Sequence, residues 1–260
     1  MHLSFDASLA ASYANPAKRV RVLTEDWVKR QLYCPNCGHG SIEQHPNNSR
    51  AADFFCVECK EEYELKSQKD RFSLRVNDGA YGSVMQRLNE GRNPNLFLLN
   101  YALPTLEVLN LAVVPKQFFT PAIIEKRKPL APSARRAGWV GCNFLLQQIP
   151  EVGRSLVVRG RVIESKDAVL KKWQETLFLR EQAAAERAWL LAIMKCVEKL
   201  DPAGFSLTQV YSFEADLRQT YPRNQHIKEK IRQQLQVLRD KGYLQFLGKG
   251  LYRRSVRWAI

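Results

Sequence analysis

The stretch ADFFCVECKEEYELKS, residues 52–67, sets Asp53 three residues before Cys56 and Glu64-Leu65-Lys66 just after Cys59. Side chains alternate along a strand, so in the alternating segment Tyr63–Ser67 the Glu64 and Lys66 side chains project from one face. If the apolar run Ala51–Phe55 folds back alongside it, Asp53 joins them, and two carboxylates and an ammonium converge. Two hard oxygen ligands suit Mg²⁺, which keeps its remaining positions for water and a phosphate oxygen. A lysine beside such an ion can orient or deprotonate an attacking water while the metal offsets charge on a phosphorane. In a chain with 25% charged residues, a surface ion pair on a strand would produce the same three letters. Strand placement, a neighbouring metal clip and a strongly basic chain together favour the catalytic reading.

Outward on both sides of Asp53 lie two cysteine pairs. Cys34-Pro-Asn-Cys37-Gly38 and Cys56-Val-Glu-Cys59 are separated by 18 residues, within the Cx2C–x15–20–Cx2C pattern in which each loop presents two thiolates to one tetrahedral Zn²⁺. Gly38 suits the tight turn that lets backbone amides face the sulfurs. His39 and His45 fall between the pairs, but four thiolates already fill a closed structural site. Cys142 and Cys196 stand alone and read as small buried apolar residues.

The 40 Lys and Arg outnumber the 26 Asp and Glu, a formal net charge of +14 that attracts polyanions. Nucleic acid is the first candidate and an anionic membrane surface the second. The second weakens because no apolar run approaches the roughly 18 residues needed to span a bilayer. The first residues also lack the pattern of a secretory leader. The chain is expected to be cytoplasmic, and CxxC pairs in that setting favour metal over disulfides. Pro16–Gln31 carries Val20, Leu23, Trp27 and Val28 at helical spacing. Asn95–Tyr101 and Val108–Val114 read as buried strands, and a helix over about Gly79–Leu88 completes a small mixed α/β sheet. Lys126–Trp139, basic and broken by Pro129, Pro132 and Gly138, reads as an exposed loop. In it Arg135-Arg136-Ala-Gly-Trp139 puts a large ring beside two phosphate-seeking guanidinium groups; an ordinary core aromatic is the plainer reading of Trp139.

Near Glu181–Glu186 the composition shifts to Ala- and Leu-rich helical text, so the chain is expected to divide into residues 1–182 and 183–260. Ala188–Leu200 and Leu207–Leu217 read as helices. Gln225–Lys241 reads as a third, with Ile227, Ile231, Leu235 and Leu238 on its buried stripe and Gly242 at its end. Tyr243–Leu247, Gly248-Lys249-Gly250 and Leu251–Arg254 read as a hairpin, and three helices with a hairpin suggest a winged helix. The third helix leaves Lys228, Arg232, Gln236 and Arg239 on another side and Asn224, Gln225 and His226 at its N-terminal end, where recognition helices meet base edges. A charged helix face is usually only solvated, but Lys249, Arg253 and Arg254 add cations where a wing would lie.

Longer strings resemble the DpnI-type methyl-directed restriction endonucleases, which are PD-(D/E)xK nucleases. They are LTEDWVKRQ-YCPNCG at 23–38, ADF-C--C--E-ELKS at 52–67, NDGAY at 77–81, RKPLAPSARRAGWVGCN at 127–143 and HIKEKIRQQLQVLRDKG at 226–242. Ala52 stands where the superfamily motif has a proline. The resemblance implies a restriction-endonuclease-like mixed sheet with a zinc knuckle, followed by a winged-helix domain. It also implies Asp53 and Glu64 as Mg²⁺ ligands, with the Leu65 carbonyl completing the site, Lys66 as the catalytic lysine, and Zn²⁺ on Cys34, Cys37, Cys56 and Cys59. The implied substrate is double-stranded DNA carrying N6-methyladenine in GATC, cut between A and T to leave blunt ends, by a protein monomeric in solution. The rival expectation is a non-catalytic zinc and winged-helix regulator, which would have no use for Glu64 and Lys66 on one strand face.

Overall fold

A computed structural model describes residues 1–46 and 52–255, so Ala51 of the apolar run lies outside them. The chain divides into two compact units. Met1–Gln147 with Gly153–Leu177 forms the first, and Gln148–Val152 with Phe178–Ile260 the second.

In the first unit, α1 (Pro16–Gln31) starts where Asn15 caps it through its side chain and Pro16 supplies a pre-set φ. Lys29 and Arg30 in its last turn face the negative end of the helix dipole. Strands β1 (Glu43–Gln44), β2 (Phe54–Phe55), β3 (Glu62–Lys69), β4 (Arg75–Ala80), then α2 (Tyr81–Asn89), β5 (Asn95–Ala102) and β6 (Glu107–Val114) follow. After these come β7 (Ile124–Lys126), β8 (Gly141–Leu145), β9 (Ser155–Arg159), β10 (Val162–Ile163) and α3 (Lys166–Glu175). The main sheet has the order β1-β2-β3-β5-β6-β9-β10. It is mixed: β3 and β5 are parallel, while β2–β3 and β5–β6 are antiparallel. The second sheet, β4-β8-β7, is legible only in three dimensions, because its strands are short and come from three separate stretches of chain.

Period-two alternation assigns the faces of the main sheet. Tyr63, Phe97, Leu99, Leu111 and Val113 belong to one buried cluster with Leu23, Trp27 and Val28 of α1 and Trp173 of α3. Tyr63 stacks on Phe97 with ring centroids 4.6 Å apart. On the opposite face, Glu64 is in register with Leu96 and Lys66 with Leu98. There Glu64 and Leu96 share a small pocket with Val84 and Leu88 of α2, Ile124 of β7, Phe144 of β8 and Phe119. The second sheet and α2 therefore cover the face that carries the two charged side chains.

In the second unit α4 (Ala184–Glu198) begins four residues before the start read from sequence. The helix expected over Leu207–Leu217 is two: α5 (Leu207–Tyr211) and α6 (Glu214–Thr220). The Ser212 hydroxyl donates to the Gln209 carbonyl at 2.7 Å, a side-chain bond that competes with continuation of the helix. A capping box of Ser206 and Gln209 starts α5. The third helix, α7 (Ile227–Asp240), buries Ile227, Ile231, Leu235 and Leu238. It is followed by β12 (Leu244–Gly248) and β13 (Leu251–Arg254), which pair around a turn at Lys249-Gly250. β11 (Phe205–Ser206) pairs with β13 and completes a three-stranded sheet, and helices followed by a hairpin sheet make a winged helix.

Trp27 is fully buried and its indole nitrogen donates to the His2 carbonyl at 2.7 Å. Trp27→Ala is expected to cost about 3–5 kcal/mol, a large part of a domain's usual margin, read as a lowered midpoint in urea unfolding. Trp27→Phe should lose clearly less, since it keeps most of the apolar contact.

Candidate functional site

Backbone hydrogen bonds shape both cysteine loops in the same way. The Gly38 amide donates to the Cys34 carbonyl at 2.9 Å and the Lys60 amide to the Cys56 carbonyl at 3.0 Å. Gly38 and Lys60, each four residues past the first cysteine of its pair, both adopt positive φ, 78° and 60°. The four sulfurs of Cys34, Cys37, Cys56 and Cys59 all lie within 4.8 Å of one another, with 3.5 Å from Cys34 to Cys59 and 3.6 Å from Cys37 to Cys56. Soft sulfurs at roughly the edge lengths of a tetrahedron with Zn–S bonds of ~2.3 Å fit one structural Zn²⁺. The Tyr63 hydroxyl lies 3.1 Å from the Cys34 sulfur, placed to donate to a thiolate. Neither histidine joins the cluster, and His45 instead pairs with Glu62 at 3.4 Å and packs on Phe55.

This clip lies next to the carboxylates. Asp53 precedes β2, and its amide donates to the Tyr63 carbonyl at 2.9 Å. Its carboxylate accepts from the Leu65 amide at 2.7 Å. The amide and carbonyl of one strand residue point to the same edge, so the Leu65 carbonyl also faces the Asp53 side, beyond the last β2–β3 pair at Tyr63 and Phe54. Lys66 Nζ lies 2.7 Å from Glu64 Oε1 and 2.7 Å from Asp78 Oδ1. Asp53, Glu64, Leu65 and Lys66 line a cleft of about 760 Å³ together with Arg21, Thr24 and Glu25 of α1. The structure thus brings together Asp53, Glu64 and Lys66, and adds Asp78 from β4.

The electrostatics follow from two carboxylates, Glu64 and Asp78, around one ammonium in a mostly buried place. Burial pushes the Glu64 carboxyl up to about 7, with Lys66 drawing it down and Asp78 adding to the rise. Burial also raises Asp78, but the Lys66 ammonium outweighs it and holds Asp78 below the ordinary carboxylate range. Lys66 sits above its ordinary value, because Glu64 and Asp78 overcome the burial that would lower it. Excess negative charge on hard oxygens is what a divalent cation relieves, so the donor set fits Mg²⁺.

Arg135 and Arg136 are exposed, as read. Trp139 is half-buried, with the Arg136 guanidinium 4.7 Å from its ring centroid. Its ring packs so closely on Gly141 that a Cβ there would come within 2.7 Å of ring carbons. In the second unit Gln225 and His226 are exposed at the start of α7, and Asn224 accepts from the His226 amide at 2.8 Å. Lys228 lies 3.5 Å from Glu214, and Arg232 donates to the Tyr211 hydroxyl at 2.9 Å. Arg253 donates to Gln245 at 2.8 Å, and Lys249 is exposed in the hairpin turn.

Sequence reasoning missed Asp78 as a partner of Lys66; the string NDGAY marked the region but nothing local gave the aspartate a role. It also missed the cavity of about 710 Å³ that Trp189, Tyr221 and Arg223 line beside Asn224–His226.

The mixed sheet and the winged helix each fall within a family model. Residues 1–182 match the DpnI model, described as the Dam-replacing family, and residues 185–254 match DpnI_C, the Dam-replacing HTH domain. The chain belongs to this DpnI family.

One zinc per chain is expected by elemental analysis, with Cys56→Ser losing the metal and unfolding at lower temperature, since binding energy of such a clip is folding energy. Full zinc and full stability in that variant would remove the cysteines from the site.

Proposed function

We propose that this chain makes Mg²⁺-dependent double-strand cuts in DNA containing N6-methyladenine at GATC, leaving blunt ends. The observation that carries the reading is the convergence of Asp53, Glu64 and Lys66 on one cleft, in a chain of the methyl-directed restriction family. The Asp53 and Glu64 carboxylates and the Leu65 carbonyl are the groups that would hold Mg²⁺. When bound, the ion supplies charge neutralisation at the scissile phosphate and a more acidic water. Lys66, flanked by two carboxylates, stays an ammonium and acts as a hydrogen-bond donor that orients the attacking water and the phosphate oxygen. Thiolates on Zn²⁺ keep β2 and β3 in register and take no part in the chemistry.

Residues 1–182 are assigned to cutting and residues 183–260 to recognition, in a protein that is monomeric in solution. Arg135, Arg136 and Trp139 in the first part, and Asn224, Gln225, His226, Lys228, Arg232, Lys249 and Arg253 in the second, are the proposed DNA contacts. The net charge of +14 supports a polyanionic partner, and no helix among the described residues is long and apolar enough to cross a membrane. Methyl reading sets a physical difficulty: one buried methyl group contributes only about 0.8 kcal/mol, a few-fold in affinity. Two methylated strands, each tested by two domains, multiply that small preference, which gives a reason for appending a winged helix to a nuclease.

Wild-type protein with Mg²⁺ should linearise methylated plasmid and spare unmethylated plasmid. Asp53→Ala, Glu64→Ala and Lys66→Ala should each abolish cutting while retaining specific DNA binding. A wild-type chain that binds methylated DNA without cutting it would instead support the regulator.

Trp139→Ala should lower cleavage of methylated DNA by more than its melting temperature explains and narrow the preference over unmethylated sites. Equal loss on every substrate, in step with melting temperature, would make Trp139 a structural anchor of its loop.

A further inference from the structure

Asp78 reaches the cleavage site from a different sheet. It lies on β4, opposite Cys142 of β8, where the pairing slips by one residue between Asp78 and Ala80. Such a bulge beside a site re-aims a side chain. The Asp78 side chain is only 2% exposed. One of its oxygens meets Lys66 Nζ at 2.7 Å, and the other, Oδ2, is buried with no hydrogen-bond partner among the described residues. Burying a carboxylate costs several kcal/mol unless nearby charge offsets it. Joining the two sheets would be cheaper with apolar side chains of the kind that Val76, two residues away on β4, already supplies.

The geometry around Lys66 supplies a reason for the charge. Glu64 is both a partner of Lys66 and a proposed metal ligand, so a carboxylate drawn towards a cation would leave Lys66 without an anchor on its own strand. A long lysine stem loses its placement readily, since its rotamer entropy is about 2 kcal/mol. Asp78 is not on the rim of the cleft, and it contacts Lys66 from the covering sheet.

We infer that Asp78 is a positioning residue of the cleavage site, which holds the Lys66 ammonium in place from β4, independently of Glu64. This rests on the nuclease reading above. Asp78→Asn keeps the volume and one acceptor but removes the charge. The single-turnover cleavage rate on methylated DNA with saturating Mg²⁺ should fall about 10- to 100-fold, with the Kd for the same DNA in Ca²⁺ unchanged within about threefold. Val76→Ala, on the same strand, controls for destabilisation and should keep its cleavage rate. A second readout needs no turnover. The Lys66 ammonium, identified by its absence in Lys66→Met, should give a slowly exchanging signal in lysine-selective ¹⁵N spectra of the full chain. That signal should broaden in Asp78→Asn while backbone amides far from the site stay put. If wild type does not cut, the nuclease reading falls. If wild type cuts and Asp78→Asn cuts as fast, or if Val76→Ala, equally destabilised, loses as much rate as Asp78→Asn, or if the Lys66 signal is unchanged in Asp78→Asn, the role of Asp78 is overturned.

Discussion

The short hairpin of β2 and β3 is closed by a cysteine pair, and the placement of Asp53, Glu64 and Lys66 in the candidate cleavage site depends on that closure. Cys56 and Cys59 occupy the connection between Asp53 and Glu64, and Cys34 and Cys37 complete the cluster from the end of α1. β2 pairs with β3 at only two positions, too few to hold a register by backbone bonds alone. A slip by one residue would turn Glu64 and Lys66 to the apolar face and Tyr63 to the charged one. The sulfur cluster prevents the slip by fixing both ends of the turn, and Tyr63 ties it to the core through the Cys34 sulfur on one side and Phe97 on the other. Asn36 of the first cysteine loop accepts from the Trp173 indole at 2.7 Å, which fastens α3 to the same clip.

Around this rigid hairpin the charge is arranged at a cost. Glu64, Asp78 and Lys66 share a mostly buried space, and burial, with a smaller contribution from Asp78, raises Glu64. An arrangement selected for stability alone would place apolar side chains there. Such a set of oxygens fits a cation site, where a bound ion would offset the excess negative charge.

The second unit, which matches the Dam-replacing HTH domain, carries its own set of cations. Its third helix buries one stripe and exposes another, and several of the exposed cations are already paired with Glu214, Glu229 or Tyr211. Such pairs hold the side chains in defined positions while remaining weak enough, at exposed sites, to exchange for phosphate.

Much was legible in the sequence because it was local. The helix Pro16–Gln31 follows from apolar spacing with a cap and a proline, and the zinc clip follows from two CxxC pairs at metal-ligand spacing. Glu64 and Lys66 share a face because a strand has period two. The stripe of α7 was readable from 3.6-residue periodicity for the same reason, whereas the break at Ser212 was not, since one hydroxyl overrode a continuous helical pattern. The second sheet, the cover it forms over Glu64 and Lys66, and the arrival of Asp78 at Lys66 belong to the tertiary structure alone. β4, β7 and β8 come from three separate stretches of chain, and their short runs acquire meaning only when they pair. No periodicity within Asn77–Tyr81 distinguishes an aspartate on a solvent-facing turn from one buried against a lysine. That choice is made by which sheet packs on which face, a property of the folded chain and of no segment within it.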